Sequence, residues 1–297
     1  MSPLLSPSLA LGSNVPLQLY GTAWKEDKTA ELTSTALSQG FKGLDTANYP
    51  TAYEETLTGQ GIAAALKSGI KREDIFIQSK FSPIFTHHPE KIPFEAALSI
   101  EEQVKQSIEQ TFQHLEIQYL DSLLLHAPYE DNKDSFTAWK VLESFVPDKI
   151  RYIGVSNATL HQLQSIYEHA TVKPAIVQNK FWKETKFDLE LRSFCRDHGI
   201  LYQAFWMLTH NPEVLDSEII ASVASKYKFE REAAFYLMML CLGDIQVLNG
   251  TTKVERMEAD LASVSGILKD GNIPEELHSS VKQFKRLLWK LASESKG

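Results

Sequence analysis

Leu120-Asp121-Ser122-Leu123-Leu124-Leu125-His126 is an apolar, strand-like run that ends on an imidazole, and it has counterparts elsewhere in the chain. Phe41 to Leu44 ends on Asp45, and Ile75 to Ser79 ends on Lys80. Eight such runs recur, at Leu17–Tyr20, Gly40–Asp45, Ile75–Lys80, Leu120–His126, Ile150–Asn157, Ala175–Gln178, Ile200–Trp206 and Ile245–Leu248. Helical spacing fills the gaps, as in Ile100 to Leu115, where Val104, Ile108, Phe112 and Leu115 share one face. Gly40, Gly199 and Gly243 fall just before strands, where a left-handed helix cap needs a residue without Cβ. Alternating strands and helices with short connections make a parallel sheet. Eight repeats predict a closed (β/α)8 TIM barrel over its competitor, a doubly wound open sheet. Such a barrel gathers residues from its strand ends at one rim. An acid, an ammonium and an imidazole, with Tyr53 close behind Asp45, would make a proton-delivery site there.

The bulk properties fit one domain spanning 1–297, since barrels of this kind run to ~250 residues or more. With 43% apolar and 23% charged residues the chain is ordinary globular protein. The net charge of −8 argues against nucleic-acid and anionic-membrane partners, yet leaves room for a phosphorylated cofactor held by local positive charge. No apolar run is long enough to span a bilayer, and Met1 to Ala10 lacks the basic start of a signal peptide. Cys195 and Cys241 read as reduced, buried thiols, which suits the cytoplasm. The expectation is a cytoplasmic monomer whose partner is a small molecule. Pro7 to Tyr20 predicts an N-terminal β-hairpin turning at Gly12-Ser13-Asn14, and Pro274 to Leu291 predicts a C-terminal helix.

Gly59-Gln60-Gly61-Ile62-Ala63-Ala64 matches a loose dinucleotide fingerprint, but it lies inside the helical stretch Tyr53 to Lys67. A phosphate-binding glycine loop must join a strand to a helix N-terminus, so these glycines predict close helix packing instead. His87-His88 lacks a third ligand at metal spacing and reads as loop, and no HExxH, CxxC or GxSxG element appears.

In this order and spacing the motifs resemble the aldo-keto reductases. Gly40-Phe41-Lys42-Gly43-Leu44-Asp45-Thr46-Ala47 is similar to the family's GxxxxDTA segment, and Ile77-Gln78-Ser79-Lys80 to the strand carrying its lysine. Leu123 to Pro128 resembles the LLHxP strand, Ile153-Gly154-Val155-Ser156-Asn157 the IGVSN signature, and Pro174 to Asn179 the PxxxQN element. The resemblance covers the chain from about Ser8 to the last helix.

The tyrosine departs from the family's usual pattern, which places it five positions after the aspartate; that position here is Pro50. Some members carry a longer loop of the form xYxExLxGxGI, and Tyr53 to Ile62 matches it in register. Tyr49 would leave the glycines out of phase and precedes a proline, which favours extended backbone. Tyr53 is therefore the expected proton donor, and Tyr49 an expected wall of the substrate pocket.

The resemblance implies carbonyl reduction by a nicotinamide dinucleotide, reversible as alcohol oxidation. Tyr53 would act as general acid, Lys80 would lower its pKa, Asp45 would hold Lys80 charged, and His126 would orient the carbonyl. Ser156, Asn157 and Gln178 would bind the nicotinamide carboxamide. Phe205 occupies the usual stacking position, though it also fits a core role. Trp206 and Leu208 would follow on the phosphate side, with Thr22 near the ribose and Asp45 also among the cofactor-binding residues. Thr251 and Arg256 match the phosphate-binding hydroxyl and arginine. Gly250, however, replaces the usual lysine, Ala259 and Asp260 replace the acid–amide pair, and Lys253 is a shifted substitute. NADPH (NADP+) is favoured over NADH on Arg256. Trp24, Tyr49, Phe81, Tyr129 and Trp182 follow strand ends and are expected to wall an apolar pocket. The alternatives are a cofactor-binding regulatory barrel with little turnover and a metal-dependent barrel hydrolase or lyase. The intact Asp45, Tyr53, Lys80 and His126 argue against the first, and the lack of clustered ligands against the second.

Overall fold

The computed structural model describes Leu11 and residues 15–243, 245–268 and 272–295. Eight parallel strands follow in chain order around a closed barrel: β1 (Gln18–Gly21), β2 (Gly43–Asp45), β3 (Phe76–Phe81), β4 (Leu120–Leu125), β5 (Ile150–Ser156), β6 (Ile176–Lys180), β7 (Leu201–Phe205) and β8 (Ile245–Asn249). The helices are α1 (Thr29–Ser38), α2 (Glu55–Lys67), α3 (Ile100–Leu115), α4 (Asn132–Glu143), α5 (Leu160–His169), α6 (Leu189–Asp197), α7 (Pro212–Leu215), α8 (Glu218–Tyr227), α9 (Arg231–Leu240), α10 (Val254–Ile267) and α11 (His278–Glu294). Strands β3 and β4 are buried along their whole length, as expected where parallel strands are covered on both faces.

The predicted barrel and its eight strand-like runs are therefore observed. The hairpin expected over Pro7 to Tyr20 lies largely outside the described residues, and the part that is described contributes β1. Gly40, Gly199 and Gly243 adopt φ of +107°, +66° and +85°, the left-handed caps expected before β2, β7 and β8. Helix α2 begins at Glu55, two residues later than the predicted stretch, because Glu54 has φ −108° and ψ 80°. Tyr53 instead sits in a turn, its N–H donating to the Tyr49 carbonyl at 3.1 Å.

Contacts divide the chain into two compact units, Leu19–Gln178 and Met1–Gln18 with Asn179–Gly297. In the first, the glycines of the failed dinucleotide motif serve close packing. A Cβ at Gly59 would collide with the His114 carbonyl of α3, and one at Gly61 with the Ala30 carbonyl and Thr33 of α1. Ser99 and Glu102 form a capping box that starts α3, as Thr159 and Gln162 do for α5. In the second, α11 buries Val281, Phe284 and Leu288, and Phe284 meets Phe235 of α9 edge-on at 6.0 Å. Among the described residues no helix is long and apolar enough to cross a membrane. Cys195 and Cys241 are both buried and free of disulfides, and burial pushes each thiol up to about 12.

Candidate active site

Within the unit Leu19–Gln178, Asp45 closes β2, Lys80 lies near the end of β3 and His126 follows β4, so their common strand direction brings them to one rim. Lys80 Nζ lies 2.7 Å from Asp45 Oδ2, 2.9 Å from the Thr46 carbonyl and 3.3 Å from Tyr53 Oη. Three N–H donors thus meet three acceptors, which accounts for an ammonium with no solvent exposure. Tyr49 is engaged elsewhere, its hydroxyl donating to the Thr86 carbonyl at 3.0 Å. The geometry brings Asp45, Tyr53 and Lys80 together and leaves Tyr49 off the ammonium.

Charge explains how the group persists. Burial alone would lower the Lys80 ammonium, but the Asp45 carboxylate and Tyr53 outweigh it, and its pKa is raised above 10.5. Burial pushes the Tyr53 phenol above its ordinary 10.0, Lys80 pulls it down, and Asp45 pushes it up. The downward pull expected of Lys80 is therefore present, and burial exceeds it. His126 is held well below its ordinary 6.5, first by burial, then by the Lys80 ammonium and by His87.

Three supporting residues had escaped the sequence reading. Ser82, fully buried, places Oγ 2.6 Å from His126 Nδ1. Gln78 donates to Asp45 Oδ1 at 2.8 Å, joined there by Gln178 at 2.9 Å. Strand alternation was the available signal: Gln78, Lys80 and Ser82 are spaced by two along β3 and its extension. His87 accompanies them, with Nε2 2.9 Å from the Ser82 carbonyl and its ring 5.2 Å from that of Tyr49.

The expected cofactor residues divide by exposure. Ser156 is buried and donates to the Gln178 carbonyl at 2.8 Å. Gln178, also buried, commits its amide N–H to Asp45. Thr22 is fully buried and donates to the Asp45 carbonyl at 3.1 Å, so it presents no surface to a ribose in this structure. Asn157 alone of the carboxamide set is exposed, held at φ +54° by donation to the His126 carbonyl at 3.0 Å. In the other unit, Phe205 and Leu208 are half-buried and Trp206 is exposed. The Thr251 N–H donates to Asn249 Oδ1 at 3.0 Å. Arg256, half-exposed, pairs with Glu232 at 3.2 Å. Asp260 accepts from Asn249 at 2.7 Å and is pushed up to about 6 by burial.

The aromatic set needs one correction. Phe81 has no exposed surface and packs 5.9 Å from Phe94, so it belongs to the core and not to a pocket wall. It ends β3 one residue after Lys80, and alternation turns it away from the ammonium. Trp24 is 67% exposed, Tyr49 is half-buried with its ring 5.6 Å from His126, and Tyr129 is buried against Phe85 at 5.3 Å. Trp182, in the other unit, is half-buried. Among the described residues no three His, Cys, Asp or Glu side chains cluster to hold a metal.

Comparison with known proteins identifies the family. The family model described as "Aldo/keto reductase family" matches residues 8–211. A glyoxal reductase of Bacillus subtilis (strain 168) is 32% identical over 233 residues, covering 76% of each chain. An NAD/NADP-dependent indole-3-acetaldehyde reductase of Schizosaccharomyces pombe is 27% identical over 305 residues, covering 96% of this chain and 99% of the relative. The solved aldose reductase of Schistosoma japonicum superposes with a TM-score of 0.74 at 23% identity, over 99% of this chain and 92% of that one. At that identity the structural match speaks for the fold alone.

Proposed function

The chain belongs to the aldo/keto reductase family, and from that premise we propose that it reduces the carbonyl of an aldehyde or ketone with a nicotinamide dinucleotide. NADPH is the preferred cofactor and Tyr53 the proton donor. The observation that carries the reading is the buried Lys80, bonded at once to Asp45 and Tyr53. Two relatives named for glyoxal and indole-3-acetaldehyde reduction support an aldehyde substrate.

The residues present fit a dinucleotide. Asn157 offers an exposed amide suited to a carboxamide, and Arg256 offers a planar guanidinium suited to a phosphate. When bound, the dinucleotide supplies the hydride. Negative charge then grows on the carbonyl oxygen, and Tyr53, backed by the Lys80 ammonium, delivers the proton. Asp45 keeps that ammonium charged, while Gln78 and Gln178 fix the carboxylate. Ser82 Oγ lies 2.6 Å from His126 Nδ1, and in the tautomer protonated at Nε2 the serine hydroxyl would donate to Nδ1 while the Nε2 proton would be donated to the carbonyl oxygen. Steady-state oxidation of NADPH in the presence of simple aldehydes and ketones tests the assignment. The absence of turnover with every carbonyl, by protein that binds the cofactor, would instead favour the regulatory barrel.

Ser82→Ala is expected to lower kcat by roughly tenfold or more with little change in KM, because His126 loses the partner that fixes its tautomer. Ser82→Thr should retain most activity. Nitrogen NMR of the His126 ring reads the tautomer directly, and a ring unchanged in Ser82→Ala would contradict the role.

Arg256→Ala should weaken NADPH binding by about 1.5–3 kcal/mol, the worth of a charge-assisted hydrogen bond, and leave NADH nearly unchanged. Paired fluorescence titrations measure both constants. Equal losses for the two cofactors would remove Arg256 from the phosphate.

A further inference from the structure

Lys180 ends β6, at the strand terminus where barrels of this kind hold ligands. Its ammonium lies 4.5 Å from the ring centroid of Trp206 and 5.4 Å from that of Trp182. The two indoles meet edge to face at 5.9 Å, and Trp206 stacks on His210 at 4.2 Å with the rings 9° apart. Among the described residues the Lys180 ammonium has neither an ion pair nor a hydrogen bond. Lys183 nearby differs, pairing with Glu213 at 3.3 Å and Glu294 at 3.9 Å. Glu213 and Glu294 are thus committed to Lys183, and among the described residues all three N–H donors of Lys180 remain unused. A half-buried ammonium held only by π faces is weakly compensated.

One of the two flanking indoles, and the loop that follows β6, carry left-handed backbone. Trp206 adopts φ +61°, and Lys186, Phe187 and Asp188 follow one another at +52°, +53° and +50°. Left-handed backbone is unfavourable for residues with a Cβ and persists only where the surroundings impose it. Here Phe187 is fully buried 5.1 Å from Phe181, and Asp188 accepts from Asn179 at 2.8 Å and Tyr202 at 3.0 Å. Trp182 Nε1 is buried with no acceptor, a second unused donor beside the ammonium. Unused donors and an unpaired cation thus lie together at the end of β6, beside a strained indole that follows β7.

We propose that Lys180, flanked by Trp182 and Trp206, binds an anionic oxygen group of a planar ligand. The source is either the pyrophosphate of a dinucleotide or the carboxylate of an aromatic carbonyl acid, and the second source rests on the carbonyl-reduction reading above. Lys180→Met keeps the stem over the indoles and removes the charge, and Lys180→Arg restores it. Tryptophan fluorescence titrations of the wild type and both variants with NADP+, NAD+ and benzoate read binding without turnover. They are paired with kcat/KM for 4-carboxybenzaldehyde and benzaldehyde.

A pyrophosphate site predicts a tenfold or larger loss for NADP+ and NAD+ alike in Lys180→Met. A carboxylate site predicts that loss for benzoate and 4-carboxybenzaldehyde, with benzaldehyde within twofold. Either loss should be recovered by Lys180→Arg. Constants within twofold throughout, or an equal loss for benzaldehyde at saturating cofactor with the NADP+ and NAD+ constants unchanged, would overturn the proposal and leave the cation–π contacts as a structural tie. Should the wild type reduce no aldehyde, the reductase reading fails, while the titrations still decide the anion site.

Discussion

Tyr53→Phe should lower turnover by on the order of a hundredfold or more, the worth of a positioned general acid, with cofactor binding and fold retained. Tyr49→Phe should stay within a few-fold of wild type. The two phenols lie on the same loop, but only Tyr53 Oη reaches the Lys80 ammonium, at 3.3 Å, while Tyr49 Oη is spent on the Thr86 carbonyl. Without the Tyr53 hydroxyl Lys80 still bonds Asp45 and the Thr46 carbonyl, so the buried charge stays compensated and the fold persists. The measurement is kcat for both variants beside a cofactor titration and a melting curve. An inactive Tyr49→Phe with an active Tyr53→Phe would show the tyrosine register to be wrong.

The barrel was legible because its strands carry their signal locally. Leu120 to Leu125 can only be buried, and a glycine before β2, β7 or β8 states its left-handed cap outright. The chemical core was legible for a similar reason, since Asp45, Lys80 and His126 are strand-end residues and strand direction alone gathers them. Less legible were residues whose role depends on which way a side chain turns. Phe81 was read as a pocket wall from its nearness to Lys80, although alternation along β3 puts adjacent residues on opposite faces and its side chain is fully buried. Ser82 was missed because a serine after a strand has many ordinary uses, and only its 2.6 Å approach to His126 singles it out. Thr22 and Gln178 carry another lesson: both match cofactor-binding positions, yet here their polar groups are committed to Asp45. Long-range hydrogen bonding of this kind leaves no trace in local pattern.

Lys80→Met should abolish most reduction and also destabilise the fold, although methionine preserves most of the side-chain volume. Sequence alone suggests that packing would survive, because the apolar stem is kept. The structure gives a different expectation. Asp45 is 1% exposed, and removing its ammonium partner leaves a buried carboxylate held by the Gln78 and Gln178 amides. Breaking one side of a buried ion pair costs about 3–5 kcal/mol. The Lys80 pKa is raised, so its stabilising contribution is fully present below the ordinary 10.5 and is lost only as pH rises through the higher folded value. The loss of stability in the variant should therefore be uniform through the neutral range. Activity should respond differently to pH. Lys80 is the group that pulls the Tyr53 phenol down against burial, so its removal drives that pKa further up and delays formation of the phenolate base. The rising limb of alcohol oxidation should move to higher pH, and reduction should slow because the acid is weaker. Asp45→Asn added to Lys80→Met separates the two effects. The double variant should regain stability, because no charge is left unpaired, while turnover stays low. An unshifted pH limb in stably folded double variant would reduce Lys80 to a counter-ion for Asp45 and remove it from proton transfer.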